Sequence, residues 1–255
     1  MRWLPVFKKE MRLYFGSPVA YVVFTFFLLI AGWFFTQIFL YYSDNSMRAF
    51  MQQGLGQNLN VTEHVMRPLF TNMSVVLLFF MPMLTMRLFA EEKKSGTIEL
   101  LLTYPVRDGE VLAGKFLAAG ALYLMLLGLT LAYPGIVAYF TRVEWGPLLT
   151  GYLGLVLTGV TFLSVGLLIS SLTENQIVAG FGTFGVLLGF WIIGWGSESA
   201  GGNLRTVLQY LAITEHMDGF SRGVIDTKDL VYYASAIALA LFLTLRSLDS
   251  KRWRG

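Results

Sequence analysis

The chain has 255 residues, 55% of them hydrophobic and 14% charged, with a net charge of +3 and no cysteine. A soluble domain carries about 25% charged residues; here the shortfall is gathered into long charge-free runs that use most of the chain, which leaves no room for a separate soluble domain. The missing cysteines exclude disulfides, thiolate metal sites and a Cys nucleophile, and the small basic excess reads as the Lys/Arg bias of a membrane protein rather than a nucleic-acid surface.

Residues 1–16 predict an amphipathic helix lying in the membrane interface. Trp3, Leu4, Phe7, Met11, Tyr14 and Phe15 share one side, and Lys8, Lys9 and Arg12 lie across from it, with Val6 and Leu13 interrupting the polar face. Gly16-Ser17-Pro18 turns the chain into the first span, with Ser17 as N-cap and Pro18 at the first helical position. A hydrocarbon core of ~30 Å needs about 20 apolar residues. On that measure residues 17–255 form one membrane domain, with spans at 18–42, 69–90, 112–140, 147–172, 176–197 and 229–248. The first run is too long for the apolar core of a cleavable signal peptide.

Pro82 is expected to bend the second span, and Pro134-Gly135 to kink the third near its end. The second span is expected to run on as a charged helix through Lys94 until Ser95-Gly96 stops it. A short helix, 97–103, then carries Ile98, Leu101 and Leu102 on one side, Pro105 ends it, and Asp108 caps the third span. Only Thr173-Glu174-Asn175-Gln176 separates the fourth span from the fifth. In the loop 198–228, the apolar piece 204–213 is too short to span and reads as a re-entrant or interfacial element.

Of the 19 Lys and Arg, six (Arg48, Arg67, Arg142, Arg205, Arg222 and Lys228) fall on one set of segments and the other thirteen on the opposite set. The positive-inside bias assigns the larger set, and both termini, to the cytoplasm. Loops 43–68 and 198–228 are then external.

No phosphate loop is present: Gly114-Lys115 is followed by Phe116 and lacks the upstream glycine. The histidines, His64 and His216, both fall on the outer side and read as solvated loop residues, so no metal site is assigned. The span interiors hold no Asp, Glu or His. Their polar content is Thr25, Gln37, Thr85, Thr130, Thr158, Thr161, Ser164 and Thr183, which argues against an ion-coupled carrier. The residues point to a non-catalytic chain driven by a partner. The largest inner segment, 87–111, joins an apolar-faced helix to a charged hairpin, and exposed apolar surface of that kind has a partner. Small residues at spacing four, Gly154 with Thr158, Gly166 with Ser170 and Gly185 with Gly189, allow close helix approach.

The run Glu91-Glu92-Lys93-Lys94-Ser95-Gly96-Thr97-Ile98-Glu99-Leu100-Leu101-Leu102-Thr103, followed by Pro105-Val106 and Gly114-Lys115, resembles the hallmark of ABC-2 type permeases. Phe15-Gly16-Ser17-Pro18, Ser171-Leu172-Thr173-Glu174-Asn175-Gln176 and Ser221-Arg222-Gly223-Val224-Ile225-Asp226-Thr227 extend the resemblance toward the gliding-motility-type permease subunit GldF. The resemblance implies an all-α integral membrane protein of the type V exporter-like fold, with six membrane helices, an N-terminal elbow helix and a cytoplasmic coupling helix over 95–103. It implies a multi-pass permease of the bacterial inner membrane paired with a second permease chain, as a homodimer or heterodimer. Two ABC ATPase subunits would carry the ATP and magnesium, with no cofactor on this chain, and in the gliding branch a GldG-like membrane partner joins them. Glu91, Glu92, Ser95, Gly96, Thr97, Ile98, Glu99, Leu101, Leu102 and Arg107 would form the ATPase contact, with Glu91, Glu92, Glu99 and Arg107 its charges. Thr173, Glu174, Asn175 and Gln176 would form a second, smaller one. The expected function is ATP-driven transport; the alternative is relay of ATPase motion to an extracytoplasmic partner with nothing crossing.

Overall fold

The computed structural model describes residues 3–53, 60–97, 107–199 and 201–252. Among these the regular structure is helical: α1 (Trp3–Gly16), α2 (Pro18–Gln53), α3 (Arg67–Thr85, entered through a wide π-type turn, Thr62–Met66), α4 (Ala90–Lys94), α5 (Asp108–Thr130), α6 (Ala132–Phe140), α7 (Trp145–Leu172), α8 (Gln176–Ser199), α9 (Gly202–Leu211), α10 (Ile213–Ser221) and α11 (Thr227–Arg252). Among the described residues six segments are long and apolar enough to cross a bilayer: Pro18–Arg48, Thr62–Lys94, Asp108–Phe140, Trp145–Leu172, Gln176–Gly196 and Thr227–Ser250.

The two most buried spans are those of α3–α4 and α7, at 67% and 61%. α7 is central, packing on α3, α5, α8, α10 and α11. Its glycines let neighbours approach: a Cβ at Gly159 would fall 2.2 Å from the Tyr123 ring, and one at Gly166 2.1 Å from Thr85 Oγ1. Gly185 and Gly189, the pair on α8 also expected to allow close approach, face open space instead. The buried hydroxyls are spent inside the bundle. Thr85, Thr161 and Thr183 donate back to the carbonyls of Met81, Leu157 and Ala179, and Thr158 meets the Tyr233 hydroxyl at 3.0 Å.

The second span does not run unbroken to Lys94. Pro82 has no N–H, and α3 ends at Thr85, one turn later. The third span also breaks, at Leu131 between α5 and α6, one turn ahead of Pro134. α2 runs on to Gln53, further than the expected end of the first span, so helix replaces much of the loop 43–68. The loop 198–228 folds into α9, which buries none of its residues, and α10, which buries Ile213, His216, Met217, Phe220 and Ser221.

The bundle has two ends. At the near end α1, α4, the start of α5, the 173–176 turn and the end of α11 meet, as Lys9–Glu92, Lys115–Glu10 and Ser247 Oγ to Ser171 O record. At the far end Asn60 pairs with Glu144, and Arg67 with Asp218.

Candidate functional site

The near end is organised around α4. Where α3 stops, the chain turns through 86–89, and the N–H groups of Phe89 and Ala90 lack helical partners. Ser170 of α7 supplies them: its Oγ accepts from both at 3.1 Å and donates to Met86 O at 3.1 Å. Lys93 Nζ donates to Ser171 O, placing a cation at the C-terminus of α7, where the helix dipole favours it. Ser95 N–H returns to Glu91 O, and Gly96 follows at φ +69°, a left-handed turn that glycine takes without steric cost. The sequence reading of Ser95-Gly96 as the stop is therefore correct.

α1 lies across this corner and packs on α5. Gly114 makes the contact possible, since a Cβ there would sit 2.7 Å from Val6 Cβ and 3.0 Å from Trp3 O. Val6 and Glu10 are the buried residues of α1, so the expected polar side is corrected at Val6. Val6 packs against Gly114 of α5 instead of interrupting a polar side, while Leu4 and Phe15 of the apolar arc are exposed, as an interfacial helix requires. The Tyr14 hydroxyl donates to Leu84 O at 2.9 Å; burial first, then the charge of Glu10, push its pKa up.

Four charges meet under α1. Lys115 is 1% exposed and pairs with Glu10 at 2.6 Å, while Glu92 takes Lys9 at 2.7 Å. Lys115 also lies 3.0 Å from Glu92 Oε2, an oxygen that accepts no hydrogen bond, so this contact is electrostatic without being directional. Burial works against the Lys9 ammonium, but the hydrogen bond and charge of Glu92, with the charge of Glu10, outweigh it and raise its pKa. A cleft of about 290 Å³ opens beside the cluster, between α1 and the α3–α4 corner.

The family model described as ABC-2 family transporter protein matches residues 4–246. The chain belongs to the ABC-2 transporter family. Over 124 residues it is 33% identical to the probable ABC transporter permease protein NosY of Pseudomonas aeruginosa, a match covering 44% of this chain and 43% of that one. Over 125 residues it is 30% identical to the protein of the same description from Stutzerimonas stutzeri, covering 45% and 44%. The chain thus spans less than half the length of the curated relatives it matches.

In this ABC-2 chain the residues expected to meet an ATPase divide. Ser95, Gly96, Thr97 and Arg107 are exposed at the near end. Glu91 is held by Arg87 through contacts of 2.9 and 3.3 Å. Glu92 corrects the expectation. It was read as an outward charge, but it is 8% exposed and committed to Lys9 and Lys115. Ile98, Glu99, Leu101 and Leu102, with the rest of the expected 97–103 helix beyond Thr97, lie outside the described residues. Arg107, rather than Asp108, is the N-cap of α5, and its N–H donates to Glu110 Oε2 at 3.1 Å. Thr173, Glu174, Asn175 and Gln176 lie at the same end, with Asn175 Oδ1 accepting the Ile177 N–H at 2.9 Å to cap α8.

At the far end His216 overturns the solvated-loop reading. It is 4% exposed, with Nδ1 2.6 Å from Asp229 Oδ1, Nε2 2.9 Å from Tyr210 O, and its ring stacked on Tyr232 at 3.9 Å. The spacing of Ile213, His216, Met217 and Phe220 marks one helix face, a signal in the sequence that could have found it. His64 stays exposed, with Nδ1 at Asn60 O. Among the described residues no group of three His, Asp or Glu is arranged to hold a metal.

Proposed function

We propose that this chain is the membrane-spanning permease of an ABC transporter, a non-catalytic subunit driven by separate ATPase subunits that dock at its near end. The observation that carries the reading is the family match over 4–246, in a bundle whose hallmark motif emerges at an exposed corner. α4 is fixed there by Ser170, Lys93 and Glu92, so a push on the motif reaches the central helix α7 directly. Segment 95–103 is the coupling helix and 173–176 the lesser contact. The near end and both termini face the cytoplasm of a bacterial inner membrane, a second permease chain completes the pathway, and two ATPases carry ATP and magnesium. The GldF-like branch, with its GldG-like partner, is the assignment within the family.

Purification of the native complex through a tag on this chain tests the reading. The expected yield is an ATPase at two copies per two permease chains, with a third membrane protein if the gliding branch is correct. Glu99→Lys is expected to abolish stimulation of the ATPase while the chain still inserts. A tagged chain that brings down no ATPase, or a Lys94 labelled only from the outside of intact cells, would sink the proposal. ATP turnover in the complex with no solute crossing sealed vesicles would favour relay over transport.

A further inference from the structure

Lys9 and Glu10 are neighbours on α1; Glu92 belongs to α4 and Lys115 to α5. The two arms that flank segment 98–106 are therefore each tied to α1, α4 by Glu92–Lys9 and α5 by Lys115–Glu10. Stability alone does not call for this. A buried ion pair does no better on average than apolar residues of equal volume, because desolvation offsets the attraction. What it fixes is registry. The tie between the two arms is the loose one, 3.0 Å with no hydrogen bond accepted by Glu92 Oε2. If α4 moves away from α5, Glu92 keeps Lys9 and Lys115 keeps Glu10, so no buried charge loses its partner. Only Ser17 separates α1 from α2, so a rotation of α1 passes into the first span.

We infer that these four charges form a switchable joint in which α1 is the pivot for both arms and Glu92 is the positioning residue that passes movement of α4 to α1 and α2. The inference rests on the reading that an ATPase docks at the near end.

The test uses the native complex in lipid nanodiscs, with three readouts: the ratio of ATPase to permease, the melting temperature, and ATP turnover. Glu92→Gln leaves Lys115 on Glu10 and releases the half-exposed Lys9 to water, so no buried charge is orphaned. Glu10→Gln with Lys115→Met removes the other tie as a pair. Both variants are expected to keep the ATPase at the wild-type ratio and to lower turnover about tenfold, within the usual range of coupling energies. The combined triple variant is expected to lose no more than the worse of the two, because both ties serve one joint. Glu92→Asp, which keeps the charge, is expected to recover part of the loss. Wild-type turnover in both variants with the ATPase bound overturns the joint and leaves docking intact. Turnover that falls only in step with the folded fraction makes the charges structural and also overturns it. An ATPase absent from the wild-type complex removes the docking reading, and the joint with it.

Discussion

Lys115 is 1% exposed and lies early in α5, and the residues that follow it, 116–141, carry no charge. Its ammonium is tolerated because Glu10, itself buried, accepts a hydrogen bond from it at 2.6 Å. Lys115→Met alone leaves Glu10 buried without a cation, which costs about 3–5 kcal/mol; adding Glu10→Gln removes the orphan and is expected to recover most of that. Thermal unfolding of the detergent-solubilised chain measures both, and a single variant as stable as the double would refute the pairing. The raised pKa of Lys9 means that its contribution is fully present below the unfolded value of about 10.5 and is lost only as pH rises through the folded one. Gly114 is the steric counterpart. Gly114→Ala drives a methyl to 2.7 Å from Val6 Cβ and 3.0 Å from backbone at Trp3, an overpacking cost of about 1–3 kcal/mol. Val6→Ala in the same chain relieves only the side-chain half of the clash, so partial recovery of the melting temperature is the expected result.

Among the elements, α4 has too few residues to persist by itself, since isolated short helices are marginal in water. Ser170 holds its start by accepting from Phe89 and Ala90. Ser170→Ala leaves those donors buried and unmet, at about 1–3 kcal/mol. The bundle is expected to survive while α4 opens locally, exposing Lys93, which is 7% exposed in the intact fold, to trypsin. Unchanged cleavage after Lys93 would show that Ser170 is dispensable. This element also marks the limit of what the sequence discloses. Six spans were legible because length and apolarity set them, and the Ser95-Gly96 stop because glycine takes a left-handed turn. The break at 86–89 was not, because the partner that makes it affordable lies in another span. The burial of Glu92 and His216 escapes the sequence for the same reason: each is polar in a segment that looks exposed, and burial depends on what folds over it. Lys115 carried a hint, being a lone cation at the mouth of a charge-free run that needs a counter-ion, but nothing in the sequence names Glu10 as that partner.

For the whole molecule, the proposed function calls for a second permease chain, which would meet one outer face of the bundle. The spans of α8 and α11 are each 22% buried and that of α2 28%, so all three present broad surfaces. Apolar exposure on α11, as at Leu239 and Phe242, is satisfied by lipid and needs no protein. α2 differs. Its exposed residues include Thr25 and Gln37 among Leu29, Trp33 and Tyr41, and the Gln37 amide makes no hydrogen bond among the described residues. A primary amide facing hydrocarbon is costly, and one paired across two helices returns about 1–2 kcal/mol. The face of α2 bearing Gln37 is therefore expected to meet its equivalent, or a similar polar helix, in the second permease. The chain has no cysteine, so single-cysteine variants report contact without background. Gln37→Cys, oxidised in native membranes, is expected to give a dimer-sized band that depends on the second chain, while Phe242→Cys on α11 gives none. Equal cross-linking at both sites, or none at 37, would return α2 to the lipid and move the interface to the open Gly185 and Gly189 face of α8.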